Sequence, residues 1–293
     1  MSFKKVRKVI IPVAGFGTRF LPATKATPKE MLPIIDKPVI QYIVEEAVAA
    51  GIEDVILVTS HMKRPVEDHF DDNEELERWL EKQGKKSLLE EIKGISQLAN
   101  FIYVRQKGPY GNATPVKNVE HIIGDEPFAV LFGDDVFDCK TPRLRQMLDV
   151  YEKYGGPVLA SIKTDKEGTS KFGIINPGKK LEKRVFEVKG MIEKPGPEKA
   201  PSLLATVGGY VLTPDIFKHL THLKKNKQSG EYILVDAITE LMKERPMYAV
   251  ELDGRYHDTG SKLGWLEANI AFALKRPDLK EGVKKMLKKE LGK

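Results

Sequence analysis

Glycines, cations and carboxylates of the kind that handle phosphates fall in several short stretches of this chain. The first is Ala14-Gly15-Phe16-Gly17-Thr18-Arg19, directly after the β-branched run 9–13 (VIIPV). Glycine has no Cβ, so it adopts positive φ readily and lets backbone N–H groups come close to a bound anion. Pro22, Pro28 and Pro33 then break helix repeatedly, leaving an irregular segment that carries Arg19, Lys25, Lys29 and Glu30. Long irregular segments inside compact domains are usually functional or disordered, and Phe20, Leu21, Met31 and Leu32 argue against disorder. Two familiar phosphate loops do not fit. A dinucleotide fingerprint needs a third glycine where Phe20 stands, and a Walker loop needs a Gly-Lys-Ser/Thr ending that is absent.

Further along, Gly133-Asp134-Asp135 follows the apolar run 128–132 (FAVLF). Carboxylates at the carboxyl end of a buried strand suit Mg²⁺, which takes one or two protein carboxylates together with waters and phosphate oxygens. Glu193-Lys194, fixed by Pro195, sets an acceptor for hydroxyls beside a compact cation suited to a phosphate. Gln106 ends the run 101–105 (FIYVR), and its amide offers a donor and an acceptor to a pyrimidine edge. No residue combination supplies an activated nucleophile such as a Ser-His-Asp set. A substrate's own phosphate oxygen would then attack, with positioning and charge neutralisation carrying the catalysis.

Those groups need strands and helices to hold them. Residues 9–13 read as a buried strand and 54–59 (DVILVT) as a second. Between them a helix begins at Pro38, has Val39, Ile40, Ile43, Ala47 and Val48 on its apolar face, and stops at Gly51. A right-handed crossover makes this unit parallel, and the glycine loop then lies in the usual ligand crevice at the strand's carboxyl end. Residues 71–100 read as a charged helical excursion with Trp79, Leu80, Leu88, Leu89 and Ile92 as apolar positions. It covers the mouth of the site, meets another subunit or is a solvated hairpin; the sequence does not separate these. Residues 101–105, 128–132, 157–162 and 247–252 read as further strands and 143–154 as an amphipathic helix. Between 163 and 212 Gly and Pro recur, which predicts short strands added to the same core. Ser261 caps a helix whose Leu263, Trp265, Leu266 and Ile270 pack inward or onto a partner.

Composition narrows the classes. With 293 residues and 41% hydrophobic content, the chain supports one large α/β domain or two smaller ones. There is no run of about eighteen apolar residues, and Met1-Ser2-Phe3-Lys4-Lys5 enters a strand without a signal-peptide apolar region. A cytoplasmic location and no membrane partner are expected. The single cysteine, Cys139, agrees with a reducing compartment and reads as an incidental thiol. The net charge of +6 arises from 48 basic residues mixed with 42 acidic ones. The one basic concentration is the tail 275–293, where Lys284, Lys285, Lys288 and Lys289 lie on the polar side of a short helix without interleaved aromatics. Nucleic acid is therefore not expected as a partner, although the excess charge favours encounter with anionic nucleotides and sugar phosphates.

The stretch 15–38, written G-x-G-T-R-x-L-P-x-T-K-x-x-P-K-E-M-L-P-x-x-D-K-P, resembles the signature of the sugar-1-phosphate nucleotidylyltransferases. Its Glu30 form, preceded by Ala23-Thr24-Lys25-Ala26, is similar to the bacterial uridylyltransferase branch, and further blocks match in order over nearly the whole chain. The resemblance implies a Rossmann-like three-layer α/β fold, glycosyltransferase-A-like, with a central, mostly parallel mixed sheet and C-terminal helices. It implies a nucleotidyltransferase domain over 1–259, its nucleotide-binding part about 1–140 and its sugar-binding part about 141–259, followed by a helical segment over 260–293. The implied reaction is transfer of uridylyl from UTP to α-D-glucose 1-phosphate, giving UDP-glucose and pyrophosphate without a covalent intermediate. Mg²⁺ is the implied cofactor and a homodimer or homotetramer the implied assembly. Carried onto this sequence, the pattern makes Arg19 and Lys29 catalytic cations, with Lys25 a weaker candidate. Ala14, Gly15, Gly17, Thr18, Glu30, Gln106 and Gly111 would bind the nucleotide. Gly173, Glu193, Lys194 and Gly208 would bind the sugar phosphate, and Asp134 and Asp258 the metal, with Asp135 an orienting neighbour. His257 needs no catalytic role.

The chain also departs from that pattern. After Gly111 it has Asn112-Ala113-Thr114-Pro115 where relatives have Leu-Gly-His-Ala, which loses a glycine and one N–H. Phe172 stands for a tyrosine, Gly209 for an arginine, Ile233 for a glutamine and Val235 for a threonine. Asp236 orients a neighbour or is a structural helix carboxylate. Thymidylyl transfer, another hexose 1-phosphate, a non-catalytic nucleotide-sugar sensor and nucleic-acid binding through the lysine tail are the competing readings.

Overall fold

Runs of Val, Ile and Leu bounded by turn residues become the strands of one nine-stranded sheet. The computed structural model describes residues 3–226 and 230–292; Met1 and Ser2 of the N-terminal stretch and Lys293 of the basic tail lie outside them. In chain order the strands are β1 (Lys8–Pro12), β2 (Pro33–Ile34), β3 (Lys37–Pro38), β4 (Asp54–Thr59), β5 (Asn100–Arg105), β6 (Phe128–Leu131) and β7 (Asp135–Asp138). There follow β8 (Val158–Lys163), β9 (Gly173–Glu182), β10 (Val185–Glu193), β11 (Leu204–Leu212), β12 (Tyr248–Glu251) and β13 (Arg255–Asp258). The large sheet is ordered β5-β4-β1-β6-β11-β8-β12-β10-β9. Only β11 and β10 run against the others, so seven strands share one direction and the sheet is mixed but mostly parallel.

Alternation along β1 shows why the fold has three layers. Val9 and Ile11 point into a core shared with the helices Val39–Ala49 and Arg143–Tyr154, and Ile10 points into one shared with Ile216–Thr221 and Leu234–Leu241. Side chains on a strand alternate between faces, so a strand apolar at every position must be covered on both. The helix from Val39 ends as its glycine predicts, with Gly51 at φ 97°.

One expectation needs correction, and two elements stand outside the sequence reading. Residues 163–212 form long strands of ten, nine and nine residues, because repeated register shifts between β9 and β10 absorb the Gly and Pro positions within a continuous ladder. Asn112 begins a short helix, Ala113–Asn118. Asp135–Asp138 is a strand that pairs antiparallel with β13 to make a separate ribbon.

The excursion at 71–100 is a pair of helices, Glu74–Lys82 and Lys86–Ser96, packed on each other, the second also against the helix Arg64–Phe70. Ser261 accepts from the Gly264 N–H at 3.2 Å and caps the helix Lys262–Ala273. Trp265 and Asn269 tie that helix to Pro33 and Ile35, while Leu263 and Leu266 are exposed. The basic helix Lys280–Glu290 buries no residue. Cys139 is half-buried and free; burial and the nearby Glu46 carboxylate push its thiol up, as an inert cysteine requires. Among the described residues no helix is long and apolar enough to cross a membrane.

Candidate active site

The signature segment leaves β1 and folds back on itself through three single 3₁₀ turns, Thr18–Phe20, Ala23–Lys25 and Lys29–Met31. Gly17 sits in the left-handed region at φ 67°, and a Cβ there would lie 3.0 Å from the Cβ of Lys29. Thr24 Oγ1 donates to the Gly17 carbonyl at 2.8 Å and locks the fold-back. Glycine at 17 thus lets the returning strand of the loop bring Lys29 directly beneath it. Gly15 has nothing within 4 Å of its missing Cβ, so that side of the loop is open for a ligand.

Lys29 Nζ donates to Asp134 Oδ2 at 2.6 Å, and Arg19 reaches the same oxygen at 3.4 Å. Burial opposes the Lys29 charge, but the Asp134 and Glu30 carboxylates outweigh it and hold the ammonium above the ordinary lysine range. Burial likewise works against the charge on Asp134, yet Lys29 and Arg19 keep its carboxyl below the ordinary range. Behind Lys29, Glu30 is 1% exposed and accepts from Lys63 Nζ at 2.7 Å. The result is an alternating row: Lys63, Glu30, Lys29, Asp134, Arg19.

Asp258 arrives from the far end of the chain through the ribbon, in which it pairs with Asp135. Thr259 then clamps the junction, its N–H and Oγ1 both donating to the Asp134 carbonyl at 3.0 and 2.7 Å. Gly260 lets the charged groups close in. A Cβ at that position would stand 2.4 Å from Asp134 Oδ2, 2.6 Å from Arg19 and 3.1 Å from Asp258 Oδ1. Asp135 turns the other way, accepting from the Tyr256 hydroxyl at 2.6 Å. Burial and the adjacent Asp134 raise its carboxyl to about 7.

A cleft of about 330 Å³ opens in front of this row. It is lined by all seven residues expected to bind nucleotide, Ala14, Gly15, Gly17, Thr18, Glu30, Gln106 and Gly111, together with Lys29 and Asp134. Gln106 is held at the end of β5 by its N–H, which donates to the Thr59 carbonyl at 2.8 Å. Gly111, at φ 136°, lies so close to Tyr232 that a Cβ would meet its carbonyl oxygen at 2.1 Å. The departure at Asn112 has a structural use: its Oδ1 accepts from the Leu234 N–H at 2.7 Å.

The sugar-phosphate set is less unified. Gly173 and Glu193 are cross-strand partners on β9 and β10, and Lys194 follows at φ 46° with its N–H on the Phe172 carbonyl. The Phe172 ring packs against Tyr256, which links this corner to Asp135. Gly208 faces Asp135 instead of open space, since a Cβ there would come within 1.5 Å of Asp135 Oδ2. Its missing side chain makes room for a carboxylate. Glu30, similarly, is turned inward to Lys63, with its side chain fully buried. Asp236 accepts from Asn226 at 3.3 Å in the first turn of its helix.

Sequence reasoning missed Lys63, Tyr256 and Thr259. Lys63 has no signal of its own in Ser60-His61-Met62-Lys63, which reads as a surface turn. Tyr256 and Thr259 flank Asp258, and pairing that block with 135–138 would have exposed both.

Set beside known proteins, residues 8–274 match the family described as nucleotidyl transferase. A UTP–glucose-1-phosphate uridylyltransferase of Staphylococcus haemolyticus is 49% identical over 289 residues, covering 99% of each chain. One of Bacillus subtilis is 50% identical over 278 residues, covering 95% of this chain and 94% of that one. Among solved structures, a UDP-glucose pyrophosphorylase complexed with UDP-glucose superposes with a TM-score of 0.85 at 42% identity, over 93% of this chain and all of that one. A UTP-bound enzyme of the same name from Acinetobacter baumannii gives 0.89 at 35%, over 97% and 99%. This chain belongs to the nucleotidyl transferase family.

Proposed function

We propose that this chain transfers uridylyl from UTP to α-D-glucose 1-phosphate, releasing pyrophosphate and UDP-glucose. The observation that carries the reading is the convergence of Arg19, Lys29, Asp134 and Asp258 beside a cleft that Lys29, Asp134 and Gln106 line together. The names of the most similar relatives point the same way. A phosphate oxygen of the sugar phosphate attacks the α-phosphorus of UTP in line, and the bond to the leaving pyrophosphate breaks. Arg19 and Lys29 neutralise the triphosphate and its leaving group. The open face of Gly15 and the N–H groups around Gly17 and Thr18 receive its oxygens, and Gln106 addresses the uracil edge. Gly173, Glu193 and Lys194 orient the sugar phosphate. Gly208 and Glu30 act from behind the site, Gly208 by admitting Asp135 and Glu30 by holding Lys63 and supporting Lys29.

The donor set fits Mg²⁺. Two carboxylates from separate segments crowd one bare glycine, and this ion needs no third protein carboxylate when phosphate oxygens complete its shell. Asp134 and Asp258 would hold it, and when bound it supplies charge neutralisation to the reacting phosphates. Among the described residues no larger cluster of His, Cys, Asp or Glu gathers elsewhere.

The division of labour falls at about residue 140, nucleotide before and sugar after. Homo-oligomeric assembly accords with the exposed Leu263 and Leu266. A second reading, transfer to a different hexose 1-phosphate or from dTTP, is favoured by one observation. Val235, buried in the apolar core, and Ile233, packed against it, replace polar family residues with hydrocarbon side chains that cannot hydrogen-bond a sugar. A pyrophosphate-release matrix of four nucleoside triphosphates against several sugar 1-phosphates decides. The highest rate should fall at UTP with glucose 1-phosphate, and a maximum elsewhere, or no release with any pair, rejects the proposal.

A further inference from the structure

Two aromatic rings at the cleft mouth have no part in the chemistry above. Phe16 projects from the glycine loop and is 60% exposed; Tyr110 projects from the loop after Gln106 and is 62% exposed. They touch across the cleft, with ring centroids 5.6 Å apart and planes tilted by 49°. Large rings left more than half in water, yet in contact with each other, are either idle or waiting for a flat partner. Resting on the nucleotide reading, we propose that Phe16 and Tyr110 form a clasp that grips the nucleobase by its face, while Gln106 reads its edge.

The two jaws are built differently. Tyr110 is braced: its carbonyl accepts from the Tyr232 N–H at 3.1 Å, the Tyr232 carbonyl accepts from Ala113 at 3.1 Å, and Asn112 holds Leu234. Close packing of Gly111 on the Tyr232 backbone fixes that loop further. Phe16 follows Gly15, which has open space beside it, so nothing on that side resists rotation of the ring. Its ring also forms part of the wall of a second cavity, about 290 Å³, with Leu21, Pro28 and Met62 among its lining. A phenyl ring displaced from Tyr110 has an apolar place to go. Phe16 is therefore the moving jaw and Tyr110 the fixed one. Every base has a π face, so the clasp adds affinity with little choice among bases, and Gln106 is left to make the choice.

Equilibrium binding of UTP and of inorganic tripolyphosphate to the full chain, without turnover, tests this. Base stacking on an aromatic is worth about 1–3 kcal/mol per base, so Phe16→Ala or Tyr110→Ala should weaken UTP about 5–150-fold while leaving tripolyphosphate unchanged. Tyr110→Phe should bind UTP as tightly as the original, because the ring and not the hydroxyl is used. Both rings are exposed, so thermal unfolding should stay near that of the parent. Unchanged UTP affinity in both alanine variants overturns the clasp, and so does equal weakening of UTP and tripolyphosphate, which would place the rings on the phosphates. Parent protein that binds UTP no better than tripolyphosphate overturns the nucleotide reading along with it, an outcome distinct from either of the others.

Discussion

Replacing Lys63 with Met removes one half of an ion pair that is almost completely enclosed, with Lys63 and Glu30 at 3% and 1% exposure. Glu30 Oε2 loses a 2.7 Å hydrogen bond, and Oε1 already has no partner in the protein. Breaking a buried pair from one side costs about 3–5 kcal/mol, because the abandoned charge loses its hydrogen-bonded partner where water cannot replace it. Unfolding entropy near 2.1 cal/mol/K per residue scales to about 0.6 kcal/mol/K for 293 residues, so the melting temperature should fall by about 5–8 °C. Burial, only partly offset by Lys63 and Lys29, already holds the Glu30 carboxyl above its ordinary value, and without Lys63 it moves higher still. A carboxyl whose folded pKa lies above its unfolded one binds a proton more tightly in the fold. Its contribution is therefore full below the unfolded value and is lost as pH rises through the folded value. The gap between parent and Lys63→Met should be small in acid and widen towards neutrality. Pairing the change with Glu30→Met, which removes both charges of the pair, should recover most of the loss. Calorimetric scans across that pH range check all three statements. A Lys63→Met protein melting within about 1 °C of the parent at neutral pH would show that water reaches Glu30 and that the row of charges is not dry.

Asp134→Asn should still fold and lose about 100-fold or more in turnover, read as pyrophosphate release against Mg²⁺ concentration; unchanged Mg²⁺-dependent turnover refutes the metal assignment. Gly208→Ala must push Asp135 off a position only 1.5 Å from the new methyl, losing its bond to Tyr256. Overpacking and the lost charged hydrogen bond together predict about 2–5 kcal/mol of destabilisation in a denaturant titration, and no change would mean that the strand yields freely. Asn112→Ala removes the acceptor for the Leu234 N–H, which should cost about 1 kcal/mol and raise the KM for UTP by loosening the Tyr110 loop. If that KM is unmoved, the brace between the two segments has no bearing on the nucleotide.

What the sequence revealed and what it hid follow from the range of the interactions involved. Strand β4 and the helix Arg143–Tyr154 were legible because apolar periodicity is local, and so was the Ser261 cap. The ribbon of β7 and β13 was not, since Asp135-Val136-Phe137-Asp138 is too short and too polar at its ends to declare a strand before its partner is known. Gly208 and Gly111 look alike as bare glycines, yet one yields to a carboxylate and the other to a backbone carbonyl from over a hundred residues away. Such reasons exist only in three dimensions. Lys63 is the hardest case, because a lysine in a turn is usually solvated and only the enclosed Glu30 explains it.

The alternating charges answer a problem that any phosphate-binding site faces when empty, which is how to keep two cations together at a cleft wall. Arg19 and Lys29 repel each other, and burial disfavours the charge on Lys29. Asp134 offsets both costs by accepting from each at one oxygen, and Glu30 supports Lys29 from the other side. For these cations to reach a triphosphate they must leave Asp134, and they leave behind a buried carboxylate whose charge they had sustained against burial. A buried anion stripped of its partners is costly, so the exchange is favourable only if another cation takes their place beside Asp134. Asp258, brought to the same glycine by the ribbon and the Thr259 clamp, would be the second ligand such a cation needs. Nucleotide and divalent ion should therefore bind with positive coupling, each tighter in the presence of the other. Asp258→Asn should weaken that coupling more than it weakens the binding of UTP alone.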